Sequence, residues 1–148
     1  MGKIEDSAAW SNKGIELGKL KKHEESIACF DEAIKLDPEE PTTWYNKGIG
    51  LQYLGRHEEA IACFDEAIKL DPQHTSAQHG KGVLLDLLGK FEEAIACFDE
   101  AIKLDPEDSD VWHDKGGSLN SLEQHEEAVA CFDEAIKLDP EDSDVWHD

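Results

Sequence analysis

Apolar residues recur along this chain at helical spacing, four times in register. In Glu58–Pro72, Ala60, Ile61, Phe64, Ala67 and Ile68 form one wide apolar stripe, and Glu58, Glu59, Asp65, Glu66 and Lys69 fill the other side. Pro72 disfavours helix at the residue before it, so the helix is predicted to stop at Asp71. Asp65 and Lys69, four apart with the acid first, predict a helix-surface ion pair. Nearly the same string occurs at Glu24–Pro38, Glu92–Pro106 and Glu126–Pro140; only Ser26 and Val129 depart from it internally. The segment before each copy supplies a second helix. In Pro41–Leu54, Trp44, Gly48 and Leu51 have helical spacing, and Gly55 offers a left-handed stop.

The period is 34 residues each time. Each repeat reads as helix–turn–helix, and a hairpin of this kind buries its apolar faces only by stacking on its neighbours. The reading is an all-α solenoid in one domain, residues 1–148. Its repeats are 7–40, 41–74, 75–108 and 109–142, after a short polar lead, Met1–Asp6. Residues 143–148 repeat Ser109–Asp114 and open a fifth repeat.

The repeats share more than the string. Trp10, Gly14, Ser26, Phe30, Ala33 and Pro38 of the first repeat correspond to Trp44, Gly48, Ala60, Phe64, Ala67 and Pro72, and to Trp112, Gly116, Ala128, Phe132, Ala135 and Pro140. The third has Gln78 in place of Trp, with Gly82, Ala94, Phe98, Ala101 and Pro106 in step. This pattern resembles the tetratricopeptide repeat (TPR) family. The resemblance implies a right-handed superhelix of antiparallel helix pairs, with first helices on a concave face. It also implies a non-enzymatic module that binds an extended segment in that groove; the residues themselves suggest no cofactor, and no Cys-x-x-Cys occurs to hold a zinc ion.

The second helices are almost copies, whereas the first helices differ, so repeat-specific character lies on the first helices. The family pattern points positions 2, 5, 9 and 12 of each repeat into the groove. On that pattern the candidate binding residues are Tyr45, Ile49, Gln52, His79, Val83, Asp86, Asp110 and His113, with Tyr53 and Leu87 at the edge; Asp114, next to His113, joins them for its charge. A dicarboxylate clamp, the family's grip on an acidic chaperone tail, needs Lys, Asn and Arg. The matching positions hold Ser11, Ile15, Asn46, Ser76 and Gly80, of which only Asn46 fits.

Charge turns the reading toward the opposite partner. The chain carries 35 acidic and 14 basic residues, net −21. By segment the charge is −1 for 1–6, then −3, −2, −5 and −8 for the repeats, and −2 for the tail. This argues against nucleic-acid phosphates and an anionic membrane surface. It favours a basic or apolar-basic peptide, with Tyr45, Ile49, Val83 and Leu87 for apolar contact and the aspartates for charge. No apolar run is long enough to span a membrane and no signal peptide is readable, so the expected location is cytoplasmic.

Cys29, Cys63, Cys97 and Cys131 share one repeat position, and equivalent helices lie too far apart for a disulfide. They read as small buried apolar side chains. His79 and His113 also share a position, one repeat apart, too far to share a metal. His23, His57 and His125 read as turn fillers. Lys21 and Glu123 stand where Gly55 and Gly89 end the first helix, which predicts differently shaped turns. The extra glycines Gly18, Gly50, Gly80 and Gly117 leave two readings open, sequence drift or room for a partner's backbone. The alternative function is a structural or engineered array that self-associates head-to-tail, with Trp146 of the opened fifth repeat in the contact.

Overall fold

A computed structural model describes residues 2–141, so Trp146 and the self-association assigned to it lie outside the described residues. Among the described residues there are eight helices: α1 Lys3–Lys19, α2 His23–Leu36, α3 Pro41–Tyr53, α4 His57–Leu70, α5 Thr75–Leu87, α6 Phe91–Leu104, α7 Ser109–Ser121 and α8 His125–Leu138. No described residue is in a strand. The fold class is the expected all-α one.

The chain falls into two compact units, residues 1–77 and 78–148. In the first, α1 packs on α2, α2 on α3 and α3 on α4; in the second, α6 packs on α7 and α7 on α8. The same contact recurs within the hairpins. Phe30, Phe64 and Phe98 are buried, and their rings lie over Gly14, Gly48 and Gly82. A Cβ at Gly48 would stand 2.7 Å from the Phe64 ring, so only glycine lets the helices meet this closely. Ala60 and Ala67 are fully buried on the facing helix. In the second unit Leu119, Ala128 and Cys131 form a core that Ile95, Trp112 and Phe132 cover.

Successive repeats are joined by recurring polar bonds. The Trp44 indole N–H donates to the Pro38 carbonyl at 2.9 Å, and Trp112 to Pro106 at the same distance. Lys47 pairs with Asp31 at 2.7 Å and Lys115 with Asp99 at 2.6 Å. The side chain that accepts at the start of each later first helix is Glu40, His74 or Asp108. Each second helix ends where the following proline dictates: Asp71 caps α4 in extended conformation, and its carboxylate accepts from the Gln73 N–H.

Four sequence expectations need correction or completion. The polar lead is largely helical, since α1 begins at Lys3 and Glu5 accepts from the Gly2 N–H at 3.3 Å. The turns at Lys21 and Glu123 are not differently shaped. Both residues take φ of 63°, close to 75° at Gly55 and 78° at Gly89. The next residue explains this: Lys22 and Gln124 N–H groups reach back to Leu17 and Leu119 carbonyls, as Arg56 does to Leu51, and that closure demands the left-handed residue. In the first repeat the equivalents of Asp65 and Lys69 take other partners. Asp31 pairs with Lys47 of the next repeat, and Lys35 turns to Glu32 at 2.9 Å. Finally, Gly50 has a packing reason: a Cβ there would stand 3.0 Å from Ile27, which is itself buried.

Candidate functional site

The first unit contributes α1 and α3. Tyr45 is half-buried, its ring 5.6 Å from that of Phe64 and 5.0 Å from that of His74. Burial pushes the Tyr45 hydroxyl above its ordinary pKa, although a bond with Ser76 opposes the shift. Ile49 and Gln52 are also partly exposed. Tyr53 is 70% exposed, and its ring is stacked on His23, 4.7 Å away and 7° from parallel. Ile15, Ile49 and Tyr53 line one cleft with Gly18, Gly50 and the edge of Phe30.

Two serines add hydrogen bonds in this unit. Ser26, the odd residue in the second-helix string, is buried and donates to the Gly14 carbonyl at 2.6 Å. Ser11 and Thr43 hydroxyls meet at 3.2 Å and join α1 to α3.

The second unit holds the remaining candidates on α5 and α7. Val83, Asp86, His113 and Asp114 line one cleft of 130 Å³ with Phe98 and Gly117. Asp110 is exposed. Sequence reasoning missed that three of these residues are already bonded. His79 Nε2 lies 2.7 Å from Asp114 Oδ2, and the Ser118 hydroxyl donates to Asp86 at 2.7 Å. Burial lowers the His79 pKa, but the Asp114 hydrogen bond and charge, then Asp108 and Asp110, outweigh it and raise it. His113 sits with its ring 5.4 Å from Phe132 and its Nδ1 3.9 Å from Asp114. The signal that predicts the His79 bond is a distance of 35 residues, one more than the period, and it becomes readable once the repeat is known.

Asp86 and Asp114 supply acceptors and negative charge, Val83 and Ile49 apolar area, and Tyr45 and Tyr53 aromatic rings. Among the described residues no group of three His, Cys, Asp or Glu is arranged to hold a metal ion. The four cysteines are buried and none is in a disulfide. Desolvation pushes the Cys63 thiol up to about 11, opposite to what a nucleophile needs.

Comparison with known proteins places this architecture. A structure of residues 41-end of MamA from Desulfovibrio magneticus RS-1 superposes with a TM-score of 0.89 at 24% identity, covering 95% of this chain and 79% of that one. The first TPR of Spaghetti (RPAP3), bound to the HSP90 peptide SRMEEVD, has a TM-score of 0.80 at 22% identity, covering 81% and 95%. The Arabidopsis OM64 TPR domain has a TM-score of 0.78 at 24% identity, covering 80% and 98%. These likenesses show the fold. No curated protein sequence matches the chain. Models of the tetratricopeptide repeat match residues 7–40, 45–109 and 80–143, which together take in most of the sequence. The chain belongs to the tetratricopeptide repeat family.

Proposed function

We propose that this protein is a non-enzymatic interaction module that holds an extended basic or apolar-basic protein segment against its first helices. The reading takes residues 1–148 as one cytoplasmic domain; no described helix is long and apolar enough to cross a membrane. The observation that carries it is the second-unit cleft, where Val83 gives apolar contact and Asp86 and Asp114 give charge. A cation entering there meets acceptors in a chain of net charge −21. Tyr45, Ile49 and Gln52 on α3, and His79, Asp110 and His113 on α5 and α7, complete the set.

Peptide binding is at home on this fold: the Spaghetti domain was solved with a peptide whose sequence holds two glutamates and an aspartate. This chain lacks the cations for such a ligand, since Ser11, Ile15, Ser76 and Gly80 stand at four of the five clamp positions. On this reading the same fold carries the opposite selectivity here. Titration of the protein with Lys/Arg-containing peptides at rising salt tests this. Affinity should fall as salt screens the carboxylates. Salt-indifferent affinity, or no binding, would count against it.

A second reading, head-to-tail self-association, is favoured by one observation. Val129 on α8 is 56% exposed, whereas Ile27, its equivalent on α2, is 7% exposed beneath α3. Sedimentation that shows a monomer at all concentrations, with and without residues 143–148, excludes it.

A further inference from the structure

We infer that the first unit contains a pocket for one large apolar side chain, aromatic by preference, carried by an extended protein segment. The inference rests on the peptide-binding reading above and specifies what the ligand must contain. The pocket has a volume of 240 Å³; Ile15, Phe30, Ile49 and Tyr53 make its apolar wall, and Ser26 and Asn46 are its uncharged polar edge. An apolar cavity of about 150 Å³ is enough to take a benzene ring, so there is room for a phenyl or larger group.

Two glycines border it, Gly18 in the last turn of α1 and Gly50 in the last turn of α3. Each costs about 0.5–1 kcal/mol relative to alanine. Gly50 has a structural reason, the close approach of Ile27. Gly18 has none of that kind: a Cβ there would meet only Ser26 Oγ at 3.5 Å, an ordinary contact. What the missing side chain leaves is space inside the pocket. Tyr53 offers a further surface. It is held against His23 by stacking, and an exposed ring already fixed in place loses little freedom when a second ring packs on it.

Charge settles which side chain fits. Among the described residues no carboxylate lines this pocket. Its one Lys or Arg, Lys19, lies 3.4 Å from Glu16. The second-unit cleft, by contrast, holds Asp86 and Asp114. A lysine or arginine head in the first-unit pocket would lose water and gain no counter-charge, whereas a neutral ring loses nothing. The complementarity is to an uncharged, flat, apolar group.

The test uses the 148-residue protein and small probes, read by chemical-shift perturbation. N-acetyl-phenylalaninamide should shift the Gly18 and Gly50 amides and saturate them, and N-acetyl-alaninamide and N-acetyl-lysinamide should not. Gly18→Leu fills the pocket and puts a better helix former in the helix; it should weaken the phenylalanine probe at least about tenfold without lowering the melting temperature. Ile49→Ala, which widens the pocket, should weaken it less. A phenylalanine probe no better than the alanine one, or indifferent to Gly18→Leu, would overturn the pocket. So would a dimer in which Gly18 and Gly50 are covered by a second copy. If Lys/Arg peptides bind the second unit while the phenylalanine probe fails, the pocket alone is wrong. If no peptide binds at all, the broader reading falls with it.

Discussion

His79 Nε2 on α5 lies 2.7 Å from Asp114 Oδ2 on α7, so two successive first helices are tied by a bond that depends on a proton. Desolvation alone would lower the His79 pKa from 6.5, but the bond to Asp114 and the nearby carboxylates raise it. A raised folded pKa means stability that is complete below the unfolded value and is lost as pH climbs through the folded one. Both side chains are about a third exposed, 26% and 36%, so the effect is about 0.5–1 kcal/mol. Unfolding free energies from urea titrations, taken from below pH 6.5 to above the raised value, should fall by that amount more in the wild type than in His79→Ala. Parallel pH profiles would contradict the pairing.

How much of this was legible beforehand follows from the range of each interaction. The helix ends at Asp37, Asp71, Asp105 and Asp139 follow from the next residue, proline, and are readable locally. The all-α class follows from the repeat. The partners of Asp31 and His79 were not readable in this way. A carboxylate on a helix surface has a local cation four residues on, and only the packed neighbour shows that Lys47 is the better-placed one. At Lys21 and Glu123 residue preference points away from a left-handed turn, and the backbone bonds that close the turn override it. Of the candidate site, the residue types were readable, but not that Asp86, Asp114 and His79 are engaged with their own chain.

The left-handed turns give a second prediction. Lys21 and Glu123 hold φ of 63° with a Cβ present, at a cost of about 1 kcal/mol before unfolded-state entropy is counted. Lys21→Gly and Glu123→Gly should each stabilise by about 0.5 kcal/mol. A loss of stability in thermal melts would show that the side chains themselves hold the turns.

The ring-over-glycine contact gives a third. Gly48→Ala should destabilise by about 1–3 kcal/mol although alanine is the better helix former, because Phe64 is fully buried and has nowhere to go. Gly116→Ala meets Phe132 at 2.6 Å, but that ring is only partly buried and can give way. It should cost less. Equal costs in chemical denaturation would mean that the ring is not what sets the glycine.

The cysteines give a fourth. Cys63 is 5% exposed and its thiol is pushed up to about 11 by burial. At pH 8 a thiol reagent should label it only as fast as the helices open, and the rate should rise in step with denaturant-induced unfolding. Rapid labelling of the native protein would contradict the packing described for α3 and α4.

The most direct measurement of the central claim is a map of amide shifts during titration with a Lys/Arg-containing peptide. The account predicts saturable shifts on first-helix residues, with Val83, Asp86, His113 and Asp114 foremost and exposed second-helix residues such as Glu58 and Glu92 silent. Shifts centred on the second helices, or none at saturating peptide, would contradict it.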